Sequence, residues 1–241
     1  MIEAPSPNHN ERKSTIRYVV LHYTDMVDTP TALKRLCDPL AEVSCHYLIS
    51  RQGEIYRLVD ESQRAWHAGI SYWKGEQDIN SSSIGIELEN PGHTNGYIPF
   101  TPEQIGSLIA LLKDIMARHT MPPENLLAHS DIAPDRKIDP GIYFPWKNLA
   151  TEEIGYWPEA TAGTTALSEN EIQQALTIIG YNPATTQASL AAFQRRFAPE
   201  ELDQPPGPLT CSRLKAYADH CGTSSPRANI MDKGENALTT D

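Results

Sequence analysis

The chain has few cysteines, no long apolar run and no excess of basic residues. Its four cysteines are widely spaced without a CxxC pair, which disfavours a cysteine-based zinc site, and we expect free thiols. The longest apolar stretch, residues 105–117, is interrupted by Ser107, Lys113 and Asp114, so no transmembrane segment is predicted. A formal net charge of −11 disfavours nucleic-acid binding by phosphate neutralisation. Neither HExxH nor GxSxG occurs, which removes two common hydrolase motifs.

The N-terminus gives an expectation about the compartment. Residues 1–15 are polar and contain no apolar segment with a small-residue cleavage site, so they do not resemble a secretory signal. Together with the free thiols this favours the cytoplasm, whereas a Cys37–Cys45 or Cys211–Cys221 disulfide would indicate an oxidising compartment. The alternative is a periplasmic protein or outer-membrane lipoprotein whose signal had been removed. Nothing in the sequence indicates an oligomer, and we expect a monomer.

The apolar pattern predicts an α/β domain followed by a small helical unit. An extended arm is expected over residues 1–15, and strands interleaved with helices make the α/β domain over residues 16–159. Residues 160–166 form a linker rich in small residues. Three helices are predicted within residues 167–222, and the polar residues 223–241 are expected to be disordered.

Individual elements of the α/β domain follow from their boundary residues. The clearest helix has Thr101 as its N-cap and Pro102 at its first position, and it runs to His119. Strands are predicted at residues 17–22, 44–50, 54–59 and 82–90. The second and third of these form a hairpin with a glycine at its turn.

Three short segments each supply one candidate metal ligand. YVVLHYT and LLAHSD are apolar β-type segments that contain His22 and His129, and RKIDPG carries Asp139 before a turn. Histidines that leave neighbouring strand ends can converge, because adjacent strands lie about 4.8 Å apart. Two imidazoles and a carboxylate are the ligands of an open catalytic zinc site, whose fourth position holds a water of lowered pKa. A single histidine is more often a surface or core residue, so the joint pattern predicts the zinc hydrolase.

A hydrolytic zinc site also needs a group that transfers protons. In SIGIELEN, Glu87 and Glu89 alternate with apolar residues and share one face of the strand, so periodicity does not choose between them. Lys137 lies two residues before Asp139 and is a candidate for stabilising an oxyanion. The alternatives are a solvated strand face and a solvated lysine.

Two further histidines lie in distinctive segments. His46, inside SCHYLIS, is a candidate fourth ligand, but its mid-strand position favours a buried histidine that is hydrogen-bonded to the backbone. RAWHAGIS places Trp66 and His67 beside a glycine turn, where an aromatic platform suits contact with a sugar or a peptide. A core position for Trp66 is the alternative.

Together these motifs resemble the zinc-dependent N-acetylmuramoyl-L-alanine amidases of the AmpD and AmiD type, which share their fold with phage amidases and peptidoglycan recognition proteins. The likeness covers residues 18–158 and is carried by VVLHYT, VSCHYLI, RAWHAGIS, SIGIELEN and HSDIAPDRKIDPG in that order. It implies a mixed β-sheet flanked by helices, with the zinc in a surface groove. It also implies roles for five residues: His22, His129 and Asp139 as zinc ligands, and Glu87 and Lys137 as catalytic groups.

The resemblance further implies contacts with the substrate. Arg136 matches an arginine that contacts the stem peptide. The other residues predicted to bind substrate are Tyr23, Ala65, Trp66 and His67. Two other stem-contacting arginines of AmpD-type enzymes are replaced by Glu42 and Asp78, which leaves the peptide specificity open.

The C-terminal part, residues 167–221, is similar to a three-helix peptidoglycan-binding domain through IIGY and LAAFQRRF. The usual D-G-x-x-G-x-x-T segment of that domain survives only as PGPLT, so a degenerate domain that packs without binding glycan is the alternative.

The function implied is hydrolysis of the amide between the lactyl group of N-acetylmuramic acid, or its 1,6-anhydro form, and L-alanine of the stem peptide. Peptidoglycan fragments in turnover or recycling are then the expected partners. The alternatives are a muropeptide-binding protein without catalysis and a zinc peptidase that cuts within the stem. The sequence leaves open whether the substrate is a soluble anhydro-muropeptide or the polymer.

Overall fold

The computed structural model describes residues 1–163 and 166–224, and in them eight strands form two sheets. The strands are β1 (Ile2–Glu3), β2 (His9–Glu11), β3 (Tyr18–Tyr23), β4 (Tyr47–Ile49), β5 (Ile55–Arg57), β6 (Gln63–Ala65), β7 (Ser83–Leu88) and β8 (Leu126–Ala128). The larger sheet has the order β1-β5-β4-β7-β3-β8, and β2 pairs with β6. Because β3 is parallel to β7 and β8 while β4 is antiparallel to β5, the predicted mixed sheet is confirmed.

Helices lie between the strands and follow the last one. They are α1 (Thr29–Leu36), α2 (Ile79–Ser82), α3 (Gly92–Asn95), α4 (Pro102–Arg118), α5 (His129–Ile132), α6 (Trp146–Thr151), α7 (Glu169–Ile179), α8 (Thr186–Phe197) and α9 (Pro208–Ser224). The N-cap of α4 is as predicted, since the Thr101 hydroxyl accepts a hydrogen bond from the Gln104 backbone N–H. None of the helices in the described part of the chain combines the length and apolar character of a membrane span.

The two faces of the large sheet are covered by different helices. Val19 and Leu21 of β3 belong to one buried apolar cluster with Leu108 of α4. Val20, which alternates with them, belongs to a second cluster that includes Phe193 of α8. The C-terminal helices therefore close the second face of the sheet. The proposed boundary between two domains stays a prediction.

The structure adds detail at both ends of the chain. The expected extended arm over residues 1–15 contains β1, which is parallel to β5, and β2, which is antiparallel to β6. The last helix continues past the predicted limit of residue 222 to Ser224, because the pattern after Gly222 was too polar to indicate it. Residues 164–165 of the linker and 225–241 of the tail lie outside the described residues.

Candidate metal centre

The sheet brings the two predicted histidine ligands to one edge. His22 lies in β3, and His129 follows β8 directly as the first residue of α5. β3 and β8 are parallel neighbours, so their C-terminal ends meet at the same place. Asp139 lies in the loop after α5. A hydrogen bond of 3.0 Å from the Ser130 N–H to the Asp139 carbonyl attaches this loop to α5.

The three side chains converge on a common point. His22 Nδ1 and His129 Nδ1 are 2.9 Å apart, and both face Asp139 Oδ2, at 3.2 Å and 2.9 Å respectively. These three atoms form a small triangle, so a single ion can lie about 2 Å from each of them. That distance is the usual length of zinc bonds to nitrogen and oxygen. All three residues are buried. The donor set and its geometry therefore fit a divalent transition metal.

A chain of hydrogen bonds orients the first histidine. His22 Nε2 lies 3.0 Å from His67 Nδ1, and His67 Nε2 lies 3.2 Å from the Ser83 hydroxyl. That hydroxyl donates to the Ile79 carbonyl at 2.5 Å. We infer that each imidazole Nε2 donates along this chain, since Ser83 then has an acceptor for its own proton. We call these four residues the His67 relay; it leaves the lone pair of His22 Nδ1 free for a metal.

The second histidine is oriented by the backbone. His129 Nε2 lies 3.2 Å from the Ala68 carbonyl oxygen and is assigned as the donor, so its Nδ1 lone pair also points to the common point. The same carbonyl accepts a hydrogen bond from Arg136 Nη2 at 2.5 Å. Both histidines are thus held as the tautomer that a metal at this position requires.

Electrostatics favours the protonation states that metal binding needs. Burial, helped by the neighbouring His129, lowers the pKa of His22 to about 4, so the ring is neutral at pH 7. Burial alone would raise the pKa of Asp139, but His129 and His22 lower it by more, and it lies well below its usual range. A neutral imidazole and an ionised carboxylate can bind a metal without first losing a proton.

Glu87 faces the same point from the next strand. It pairs with His22 in the β3–β7 register, and its Oε2 atom is enclosed without a hydrogen-bond partner among the described residues. Burial and the nearby Asp139 raise the pKa of Glu87 to about 8, and Lys137 opposes that rise. An enclosed carboxylate oxygen without a hydrogen-bond partner is costly, which is typical of a catalytic group.

Glu89, the other glutamate that the pattern left open, has a different environment. Its carboxylate accepts hydrogen bonds from the Thr29 hydroxyl at 2.5 Å and from the Arg51 N–H at 3.0 Å. These bonds hold the loop after β4 and the start of α1 to the sheet. Glu89 is therefore structural.

A cavity of about 340 Å³ opens over the metal ligands. Five other residues with predicted roles line it: Tyr23, His67, Glu87, Arg136 and Lys137. Arg35, His93 and Thr94 also line it, and the sequence reasoning missed them. Arg35 lies in the last turn of α1, where a basic residue is typical of any helix, so the sequence carries no signal for its position at the cavity.

Two predicted substrate contacts lie away from this cavity. Ala65 is fully buried and pairs with His9 between β2 and β6, so it offers no surface to a ligand. Trp66 does not line the cavity, and its indole N–H donates to Asn10 Oδ1 at 2.8 Å. The N-terminal strand β2 pairs with residues 63–65, next to Trp66, and the glycine turn beside them does not place Ala65 or Trp66 at the cavity.

Other predicted residues have structural partners. His46 is fully buried; its Nδ1 accepts from the Gly85 N–H at 2.9 Å, as expected for a histidine bonded to the backbone. His67 lines the cavity but is only 6% exposed, because it fills the space that Gly85 leaves: a Cβ there would lie 2.3 Å from the His67 ring. Asp78, at one of the positions where AmpD-type enzymes have a stem-contacting arginine, forms an ion pair with Arg64 at 2.7 Å.

A parallel-strand edge that holds two histidines, an aspartate and an unpartnered glutamate defines a metal-dependent hydrolase. Comparison with known proteins is more specific. Residues 12–142 match the family model described as N-acetylmuramoyl-L-alanine amidase. The AmiD amidase of Escherichia coli strain K12 is 40% identical over 76% of this chain and 75% of its own length. The 1,6-anhydro-N-acetylmuramyl-L-alanine amidase AmpD of Enterobacter cloacae is 42% identical, over 44% of this chain and 55% of its own.

Solved structures agree with the sequence relatives. E. coli AmiD, in complex with anhydro-N-acetylmuramic acid-L-Ala-D-γ-Glu-L-Lys, superposes with a TM-score of 0.76 at 36% identity over 90% of this chain and 91% of AmiD. AmpDh3 of Pseudomonas aeruginosa gives a TM-score of 0.77 at 32% identity over 85% of this chain and 92% of its own. The chain belongs to the N-acetylmuramoyl-L-alanine amidase family. It is an amidase, which confirms the predicted enzyme class and sets aside the non-catalytic alternative.

Proposed function

We propose that the chain uses zinc, held by His22, His129 and Asp139, to release the stem peptide from 1,6-anhydro-N-acetylmuramyl peptides. The observation that carries this proposal is the convergence of these three side chains in one cavity with the unpartnered Glu87 carboxyl group. The AmiD and AmpDh3 structures contain anhydromuramyl peptides, which supports the same substrate class here.

Glu87 and Lys137 have different roles in the proposed reaction. When bound, zinc would polarise the lactyl carbonyl and lower the pKa of a coordinated water to about 7. Glu87 takes a proton from the attacking water and delivers it to the departing amine of L-alanine. The positive charge of Lys137, and of any cation on the three ligands, favours the ionised form of Glu87 that can accept this proton. Lys137 also stabilises the oxyanion of the tetrahedral intermediate.

The rim of the cavity suits an anionic peptide. Arg35, Arg136 and Lys137 line it, and the stem peptide carries carboxylates. The Arg136 guanidinium already donates to the carbonyls of Ala68 and Ile70, which fixes it and leaves Arg35 as the more mobile cation. We propose that Arg35, which is exposed, contacts a stem carboxylate in place of the arginines that Glu42 and Asp78 replace.

The test is the product released from a defined substrate. Wild-type protein incubated with an anhydromuramyl tripeptide should release the intact tripeptide and the free sugar acid, as measured by mass spectrometry. Glu87→Ala should retain zinc but lose about 10²–10⁴-fold in rate. A cut inside the stem peptide would indicate the peptidase alternative, and normal turnover by the variant would refute the role of Glu87.

We also propose the cytoplasm as the compartment. All four cysteines are free thiols, which is consistent with a reducing environment. Fractionation of cells that express the native gene, with detection by antibody, tests this proposal. Recovery in the periplasmic or membrane fraction would contradict it.

A further inference from the structure

A buried ion pair connects the segment that contains His129 to the C-terminal helices. Asp131 follows His129 by two residues, and its carboxylate accepts from Arg196 of α8. The side chains of Asp131 and Arg196 are 0% and 2% exposed. Tyr181, in the loop after α7, donates from its hydroxyl to Asp131 Oδ1 at 2.7 Å.

Asp131 and Arg196 each form hydrogen bonds beyond their ion pair. Asp131 Oδ2 also accepts from the Ala128 N–H at 2.8 Å, which closes the single turn that begins at His129. Arg196 Nη2 donates to the Leu126 carbonyl at 3.0 Å, at the start of β8. The guanidinium therefore binds both ends of residues 126–131, and His129 lies between the two points of attachment.

Apolar packing holds the guanidinium in place. Arg196 lies over the Trp146 ring, with its central carbon 3.8 Å from the ring centroid. Tyr181 packs against Trp73 with ring centroids 5.0 Å apart. A planar guanidinium on an aromatic ring, with both of its Nη atoms bonded to fixed acceptors, has little freedom to move.

Physical arguments favour positioning over stability as the role of this cluster. Removing an Asp and an Arg from water costs about as much as their attraction returns, so a buried ion pair adds little net stability. Four residues of helix do not hold their own shape without support. A metal ligand, however, must be held within about 0.5 Å of its productive place.

We propose that Tyr181 and Arg196 of the C-terminal helical part are positioning residues for the metal ligand His129, acting through Asp131. The C-terminal helices then contribute to metal binding, in addition to any contact with glycan. This inference rests on the proposed metal site.

The test compares two buried tyrosines in the full-length chain. Tyr181→Phe removes only the hydroxyl that binds Asp131, whereas Tyr217→Phe alters an equally buried tyrosine of the same apolar cluster that does not bind Asp131. Zinc affinity is measured by competition with a chromophoric chelator, and the melting temperature is measured in EDTA. We expect Tyr181→Phe to bind zinc about tenfold or more weakly and Tyr217→Phe to bind it as the wild type does.

A second variant and a second readout make the test specific. Arg196→Lys keeps the charge but not both directed bonds, so it should also weaken zinc binding. Cobalt(II) in the same site should give an altered visible spectrum in both variants, because the spectrum reports coordination geometry. Equal zinc affinity of Tyr181→Phe and wild type, or equal losses in Tyr181→Phe and Tyr217→Phe, would overturn the inference. Failure of the wild type to bind zinc would overturn the proposed metal site, and the inference with it.

Discussion

Replacing Glu87 with glutamine should stabilise the metal-free protein at neutral to alkaline pH while lowering the amidase rate by about 10²–10⁴-fold. In an unfolded chain this carboxyl group ionises near pH 4.5, whereas burial and Asp139 raise its pKa in the fold to about 8. Between these values the folded state binds more protons than the unfolded one. The contribution of Glu87 to the free energy of unfolding therefore falls as the pH rises from 4.5 to 8.

The size of the effect follows from the pKa difference. One pKa unit corresponds to about 1.36 kcal/mol, so the shift from 4.5 to about 8 sets an upper limit of about 5 kcal/mol. Because Glu87 lines a solvent-accessible cavity, water reduces this figure, and we expect about 2 kcal/mol. Glutamine has nearly the same shape and no charge, so the variant should lack this pH dependence.

Urea unfolding of both proteins in EDTA, at intervals from pH 5 to 9, measures the effect. The variant should gain stability relative to wild type by about 2 kcal/mol between pH 5 and 8, with a plateau above. Other titrating groups are common to both proteins and cancel in the difference. A difference that stays constant over this range would show that the Glu87 carboxyl group is not held in its neutral form, and the reasoning would be wrong.

Three further predictions concern the surroundings of the site. His67→Gln should weaken zinc binding about 10–100-fold in a chelator competition, because it breaks the His67 relay; an unchanged affinity would remove the relay from the account. Burial lowers the pKa of His22 to about 4 and of His46 to about 3, so metal-free Glu87→Gln protein, which lacks the opposing contribution of Glu87, should lose stability as the pH falls from 6.5 towards 4. A flat urea midpoint over this range would contradict that expectation. Arg35→Gln should raise KM for an anhydromuramyl tripeptide several-fold with little change in kcat, and an unchanged KM would exclude the proposed contact.

The metal ligands were accessible from the sequence because their positions follow from local rules. An apolar β-type run that ends in a histidine and is followed by turn residues predicts a side chain at a strand end. Two such runs in one α/β domain place His22 and His129 at the same sheet edge. The helix α4 was equally predictable, since its N-cap at Thr101 is a local feature.

Other features depend on contacts that no local pattern contains. The segment around His67 resembles an exposed turn, but Gly85 on a neighbouring strand opens the space into which the ring is buried. Arg35 reaches the cavity only because α1 packs beside it. The amphipathic helices in residues 167–222 must pack their apolar faces against another part of the chain. The sequence pattern does not show that this part is the second face of the sheet.

The central claim, that three side chains hold one catalytic zinc ion, is tested most directly by titrating metal-stripped protein with zinc while measuring amidase rate and bound metal. The account predicts activity that rises linearly and stops at one zinc per chain. Asp139→Ala should neither retain zinc nor regain activity, while Asp135→Ala, an exposed aspartate of the same loop, should behave as wild type. Full turnover by the stripped protein, or equal zinc binding by Asp139→Ala, would contradict the account.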